Sequence, residues 1–129
     1  MKWLLLVFAF IFISTNAMSE WTAVIAEESN GGSIFYFDYS TIRKASNRVK
    51  VWELRDFSNA QEVGVRVLSI KSQTEFDCEN EQSRLLFILS YVKNMGMGEP
   101  NNTVNEPSEW QPVVPESVGE ALFKAACGK

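Results

Sequence analysis

The sequence has 129 residues, of which 12 are Lys or Arg, 16 are Asp or Glu and none is His. This length is typical of one domain, and the net charge of −4 argues against nucleic acid and anionic membrane surfaces, which bind clustered basic residues. The absence of histidine excludes Ser-His-Asp and Cys-His catalysis and imidazole ligation of metals.

The N-terminus has the three-part pattern of a secretory signal peptide. A lysine precedes an apolar run over 3–13, and small and polar residues follow. The run is shorter than the ~20 apolar residues of a membrane-spanning helix, although an uncleaved anchor is the alternative interpretation. We expect a cleaved signal peptide over 1–17, ending at Ala17, with Ser19 as the second possible cleavage site. Residues 18–129 are then one exported domain without stable membrane insertion.

Strand-like patterns dominate the first half of this domain. Apolar residues over 21–26 and 34–38 flank a turn rich in Gly, Asn and Ser, which predicts a hairpin. The stretch 38–44 is too polar for a core strand and too short for a full helix, so we expect a helical turn or a loop there. A third strand is predicted over 49–57.

The next two strands differ in their hydrophobic pattern. Alternation over 65–78 places Ile70 and Phe76 on a core face, and Lys71 and Glu75 on a largely solvent-exposed face. The run 85–89 is apolar at every position, which is typical of a central strand covered on both sides.

The strongest helix signal lies at the C-terminus. The Ser-x-x-Glu spacing of a capping box begins at Ser117, and Gly128 is a stop signal, so a helix is predicted over 118–127. Cys127 lies off the apolar stripe of this helix. Either the last turn unwinds, or Phe123 and Cys127 form a second surface that faces the sheet.

The two cysteines, Cys78 and Cys127, are predicted to form a disulfide, because a cysteine pair in a small exported domain usually meets an oxidising compartment. In the chain-entropy model such a bridge stabilises the fold by about 4 kcal/mol. Two free thiols are the alternative, but neither cysteine lies in a Cys-x-x-Cys motif. The predicted class is α+β, with a single antiparallel β-sheet of about five to six strands and a C-terminal α-helix tied back by the disulfide.

Few side chains offer chemistry. Without histidine, general acid and base catalysis would depend on carboxylates. The candidates are Asp38, Glu53, Asp56, Glu75 and Asp77. No pair among them can be assigned, and alternation places Glu53 beside Arg55, where a surface ion pair is expected. We therefore predict no catalytic, cofactor-binding or metal-binding residue.

A long loop over 94–107, rich in Gly, Asn, Glu and Pro, is predicted before Trp110. Because binding residues are often carried by loops, Trp110, Met95 and Met97 are the possible partner-binding residues. The alternative for the tryptophan is a place in the core, and for the methionines a turn or core filling.

Four stretches of the sequence carry a resemblance to a known family: YFDYSTIRK, VKVWELRDF, FDCENEQSRLLFILSY and EWQPVVPESVGEALFKAAC. Together they resemble the surface-adhesin protein E-like domains of bacteria. The resemblance implies an antiparallel sheet with a C-terminal helix tied back by a disulfide, and binding of host extracellular-matrix and serum proteins.

The function predicted from the sequence is that of an exported, non-enzymatic binding domain, adhesin-like, with a protein or peptide partner from the envelope or the host matrix. We expect a periplasmic location first, with secretion or the cell surface as alternatives. Two other functions stay open: a periplasmic structural or envelope-assembly protein, and a carboxylate-dependent enzyme. No cofactor is predicted.

Overall fold

The computed structural model describes residues 20–129. The predicted signal peptide over 1–17 and the cleavage sites at Ala17 and Ser19 lie outside the described residues. Within the described range the chain forms one antiparallel sheet and a C-terminal helix, which confirms the predicted α+β class.

The sheet has seven strands within the described range, in the spatial order β1-β2-β3-β4-β5-β6, and β7 also pairs with β5. They are β1 (Thr22–Glu27), β2 (Ser33–Ala45), β3 (Arg48–Val63), β4 (Val65–Asp77), β5 (Gln82–Tyr91), β6 (Asn102–Val104) and β7 (Gln111–Pro112). Chain order and spatial order coincide from β1 to β6, so the sheet is a meander in which each strand turns back on its predecessor.

The prediction of a helical turn or loop over 38–44 was wrong, because β2 continues through this stretch. The pairing of β2 with β3 shifts register between Asp38 and Arg43. At this bulge the Thr41 hydroxyl donates to the Asp38 carbonyl at 2.6 Å and accepts from the Trp52 backbone N–H at 2.9 Å. Side-chain hydrogen bonds therefore replace missing ladder bonds, which lets a polar segment remain in the sheet.

The prediction that 85–89 forms a central strand is confirmed in its pairing, because β5 lies between β4 on one side and β6 and β7 on the other, but the cover of its two faces is only partial. These residues lie in β5, whose outer neighbours β6 and β7 are only 3 and 2 residues long. Every residue of β5 except the buried Tyr91 is half-buried. The apolar side chains are thus shared between two partly covered faces near the edge of the sheet.

The C-terminal helix α1 (Val118–Cys127) has the predicted bounds. The Ser117 hydroxyl accepts from the Glu120 backbone N–H at 3.2 Å, which satisfies one of the free donors of the first turn. At the other end Gly128 has φ 70°, and its N–H donates to the Lys124 carbonyl at 2.8 Å. This left-handed cap suits glycine and ends the helix.

Helix α1 docks on one face of the sheet through Leu122, Phe123 and Ala126, which are all buried. The helix remains regular through Cys127, so the alternative in which Phe123 and Cys127 face the sheet is confirmed and unwinding is not observed. Cys127 is bonded to Cys78 at the end of β4, with an S–S distance of 2.05 Å. The predicted disulfide is confirmed.

Strand alternation defines two faces of the sheet. The face against α1, here the helix face, carries Phe37, Val51 and Phe76, which belong to the buried cluster beneath the helix. The opposite face, here the far face, carries Trp52 of β3 and its register partner Gln73 of β4.

The face of β4 predicted to be largely exposed is in fact well buried. Ser69, Glu75 and Asp77 are all buried, and each is hydrogen-bonded. Glu75 pairs with Arg84 of β5 at 2.7 Å, and Ser69 binds backbone groups of the segment 92–98. The alternation was correct, but the chain covers this face as well and satisfies its polar groups.

Candidate functional site

A hollow of about 280 Å³ opens on the far face. Its aromatic walls are Trp21, which precedes β1, Trp52 of β3 and Tyr91 of β5. Its charged groups are Asp38 of β2 and Lys71 of β4. The antiparallel register brings Asp38 beside Trp52, so residues distant in sequence meet in one concave surface.

Lys71 is held between two aromatic rings of this hollow. Its Nζ lies 6.0 Å from the ring centroid of Trp21 and 5.2 Å from that of Tyr91. Such cation–π contacts orient the ammonium group while leaving it in reach of a ligand. Burial and the nearby charge of Glu99 raise the pKa of Tyr91, so its phenol stays neutral at physiological pH.

Gly96 supports this arrangement from the segment 92–98. It has φ 63°, a conformation that favours glycine, and a Cβ at this position would collide with Cε of Lys71. Its N–H donates to the Ser69 hydroxyl at 2.8 Å. The path of the lysine side chain across the far face therefore depends on a glycine in the adjoining loop.

Asp38 supplies the opposite charge at the rim. It is buried, and its Oδ1 accepts from the Ser40 backbone N–H at 3.1 Å and from the Ser40 hydroxyl at 2.5 Å. These bonds come from the bulge in β2 and fix the orientation of the carboxylate. The hollow thus presents an anionic and a cationic group across aromatic walls.

Of the residues in this hollow, only Asp38 was a candidate from the sequence, as a possible general acid or base. Trp21 and Trp52 were not among the predicted binding residues, and alternation placed Lys71 on a largely solvent-exposed strand face. Alternation alone gives the face on which Lys71 lies. The strands beside Lys71, and therefore its closeness to Tyr91, follow only from the strand register. The sequence did contain one signal for this face. Trp52 precedes the buried Leu54 by two positions in the same strand, so both side chains lie on one face.

Trp110, a predicted partner-binding residue, is half-buried between two arginines. The guanidinium carbons of Arg48 and Arg84 lie 5.1 Å and 4.6 Å from its ring centroid. The ring is thereby held at the end of the sheet where β7 pairs with β5.

The two predicted methionines lie elsewhere. Met95 is half-buried, and its backbone N–H donates to Oδ1 of Asp56 at 2.7 Å, whereas Met97 is 54% exposed. Asp56 and Arg48, which contacts Trp110, are eight positions apart on β3, about 26 Å along an extended strand. The structure does not bring the three residues into one site, and their role in binding stays a prediction.

The predicted surface ion pair between Glu53 and Arg55 was wrong. Arg55 pairs with Glu27 of β1 at 3.0 Å. Glu53 instead accepts from the Thr74 hydroxyl at 2.7 Å, and burial raises the pKa of Glu53 to about 7. The two residues do share the helix face, but Arg55 is drawn toward the edge strand while Glu53 is enclosed.

Within the part of the chain that the structure describes, no group of three or more Cys, Asp and Glu side chains is arranged to hold a metal ion. Over residues 20–129 no helix has both the length and the apolar character required to cross a bilayer.

Comparison with solved structures identifies the fold. The chain is similar to Haemophilus influenzae protein E in crystal form II, with 13% identity and a TM-score of 0.62, covering 73% of this chain and 80% of that chain. It is also similar to protein E from non-typeable Haemophilus influenzae, with 13% identity and a TM-score of 0.59, covering 88% and 79% of the two chains. At this identity the likeness concerns the fold.

A family model supplies the stronger evidence. The model of the surface-adhesin protein E family matches residues 21–128, almost the whole described range. A search of curated proteins finds no match. Membership of such a family implies an exported or cell-surface location. The chain belongs to the surface-adhesin protein E family.

Proposed function

We propose that this protein is an exported, non-enzymatic binding domain, adhesin-like in its action, and that it binds a protein or peptide partner through the far face. The observation that carries the proposal is the hollow between Trp21, Trp52 and Tyr91, with Lys71 and Asp38 at its rim. In this proposal residues 1–17 direct export and are then removed.

The composition of the hollow favours a protein partner. Aromatic side chains combined with few charged groups are typical of the energetically important centre of protein interfaces. A volume of about 280 Å³ accommodates one or two side chains rather than a large cofactor. Lys71 and Asp38 present opposite charges, so a segment carrying both signs, or a polar segment with one aromatic anchor, is complementary.

The arrangement of the carboxylates favours a non-enzymatic role. Asp38 and Glu53 line different hollows, on opposite faces of the sheet. Asp56, Glu75 and Asp77 each accept hydrogen bonds that hold a loop, a cross-strand arginine or a turn. These carboxylates are engaged in maintaining the fold, which supports binding rather than acid–base catalysis.

Export is tested directly by mass spectrometry of the protein recovered from the envelope and the medium. An N-terminus at Met18 is expected, and at Glu20 if cleavage follows Ser19. A protein that retains residues 1–17 would contradict the proposed processing.

The binding role is tested with purified protein on a panel of purified host extracellular-matrix proteins, and in parallel by crosslinking in the exporting cell. Lys71→Glu reverses the charge in the far-face hollow, and Lys44→Glu makes the same change at an exposed position near the disulfide. The expected result is that crosslinks map to the far face, and that only Lys71→Glu weakens binding, by about tenfold or more.

The origin of the partner separates the two binding hypotheses. A matrix protein supports the adhesin-like role, and an envelope protein supports the alternative role in envelope assembly. Equal loss of binding in both variants, or crosslinks confined to the helix face, would exclude the far face as the site.

A further inference from the structure

A second candidate site lies on the helix face, where the cover by α1 ends. Glu53 is on the same face of β3 as Val51, which belongs to the buried cluster under the helix. Two hollows meet at Glu53: one of about 220 Å³ that reaches Leu122 of α1, and one of about 240 Å³ that reaches Phe35 and Ile88. Both have mainly apolar walls and both include Glu53, so they form adjoining halves of one groove.

The carboxyl group of Glu53 is only half satisfied. Its Oε1 accepts from the Thr74 hydroxyl at 2.7 Å. Its Oε2 is buried and has no hydrogen-bond partner among residues 20–129. A buried polar atom without a partner is uncommon in native proteins and marks a place where a ligand group can complete the bonding.

The cations near this carboxyl group are already engaged. Arg55 pairs with Glu27 at 3.0 Å and lies over the rings of Phe35 and Phe57, at 4.9 Å and 4.7 Å from their centroids. Arg84, which lines the smaller hollow, pairs with Glu75 of the far face at 2.7 Å.

Among residues 20–129, the other elements around Glu53 contribute no free cation to it. On β2 and β4 its register partners are Phe37 and Ser72, which are uncharged. Helix α1 lines the groove with Gly119 and Leu122, and its nearby charges form an ion pair with each other at 3.3 Å. The carboxyl group of Glu53 is thus buried, and its described neighbours leave its charge uncompensated.

We propose that this groove binds a lysine or arginine side chain presented by a peptide segment with apolar neighbours. The cationic group bonds to Oε2 of Glu53, and the flanking apolar side chains occupy the two hollows. The peptide segment matches the groove in charge and in shape. In the groove a single unpaired acceptor, Oε2 of Glu53, lies between apolar walls, and in the segment a basic side chain lies between apolar side chains.

The electrostatics of the free groove give this site a pH dependence. Because burial raises the pKa of Glu53 to about 7, the acid is largely protonated below that pH. A cation binds the ionised form, so binding releases a proton and affinity rises as the pH increases from 5.5 to 8.5, levelling off above the pKa. A neutral acid that donated its proton to a ligand carbonyl would show the opposite trend.

The test uses the protein recovered from the exporting cell and two capped tripeptides, acetyl-Leu-Lys-Leu-amide and its norleucine analogue. Binding is followed by NMR titration of backbone amides. The lysine peptide is expected to shift amides of Ile70, Ser72 and Ile88, and to bind about tenfold or more tightly than the norleucine peptide. Glu53→Gln should reduce this preference to near unity, while Glu62→Gln, at an exposed acid of the same strand, should preserve it.

The comparison of the two peptides on the unmodified protein keeps the proposal testable even where Glu53→Gln perturbs folding. Equal affinities, shifts confined to the far face, or an affinity that falls with rising pH would each overturn it. The far-face hollow is not involved, so this result and the test of the proposed function fail or succeed independently.

Discussion

The helix face and the far face of the sheet are covered by different means. The helix face is packed beneath one regular element, α1, which the disulfide holds in place. The far face buries Leu54 completely without an α-helix in the described range. The segment 92–98, which contains the short 3-10 helix Asn94–Gly96, is anchored over the end of this face by Asp56 and Ser69. The remaining cover of this face consists of half-buried aromatic side chains.

This difference indicates how one small domain separates stability from binding. A rigid helix gives a dry core, whereas a loop and aromatic side chains leave concave, half-exposed surface that a partner can complete. The helix face has its own groove where the cover by α1 ends, beside Glu53. Both candidate sites therefore lie where the sheet lacks a regular covering element.

Removing the disulfide is the largest expected perturbation of the helix face. The double change Cys78→Ser and Cys127→Ser opens a loop of 49 residues and should lower the free energy of unfolding by about 4 kcal/mol. Urea denaturation measures this loss. Reducing agent should reproduce it in the unmodified protein and leave the double variant unchanged, and a loss below about 1 kcal/mol would show that helix packing suffices.

Leu54→Ala tests whether the far face is a true second core. Leu54 is 0% exposed, so truncation should leave a cavity and lower the free energy of unfolding by about 3 kcal/mol. Val114, 59% exposed, is the matched control, and Val114→Ala should change stability by less than about 0.5 kcal/mol. If both variants lose equally little in urea denaturation, the far face is loosely packed.

Much of the fold was predictable because it depends on local patterns. The helix bounds followed from Ser117 and Gly128, and the disulfide followed from two cysteines in an exported domain. The continuation of β2 through 38–44 was not predictable from polarity, because Thr41 makes its hydrogen bonds to backbone groups of the sheet itself.

The candidate sites depended on long-range pairing, which explains why they were missed. The ion pair between Arg55 and Glu27 forms only when β1, β2 and β3 are paired in their native register. Within the described residues this pairing leaves Glu53 without a cationic partner. Likewise, Lys71 meets Trp21 only after four strands have assembled. Alternation gives the face of each side chain, but the neighbours across the sheet are a tertiary property.

Glu53, in the groove on the helix face, should make the free energy of unfolding depend on pH. The pKa of Glu53 is about 7 in the folded protein and 4.5 as the ordinary value, so the folded state retains a proton that the unfolded chain releases. The contribution of Glu53 to the free energy of unfolding is therefore largest below pH 4.5, and it is lost as the pH rises to about 7. Allowing for partial solvent contact, the loss is on the order of 2 kcal/mol.

Glu53→Gln is the control for this dependence, because an amide does not titrate. From pH 4.5 to 8, the free energy of unfolding of Glu53→Gln should rise relative to that of the parent protein. The lowered pKa of Asp77, caused first by the Asn80 backbone N–H, acts at more acidic pH and is common to both proteins. Parallel pH profiles would mean that the carboxyl group is hydrated.

Lys71→Met gives the smallest expected effect on stability and the sharpest contrast between the faces. The methionine keeps an unbranched apolar stem but loses the ammonium group near Trp21 and Tyr91, so the free energy of unfolding should fall by about 1 kcal/mol or less. Partner binding, in contrast, should weaken at least about tenfold if the far face is the binding surface. Thermal unfolding and a binding titration on the same sample separate the two effects. A large loss of stability with unchanged binding would assign Lys71 to the packing of the sheet and move the partner site away from the far face.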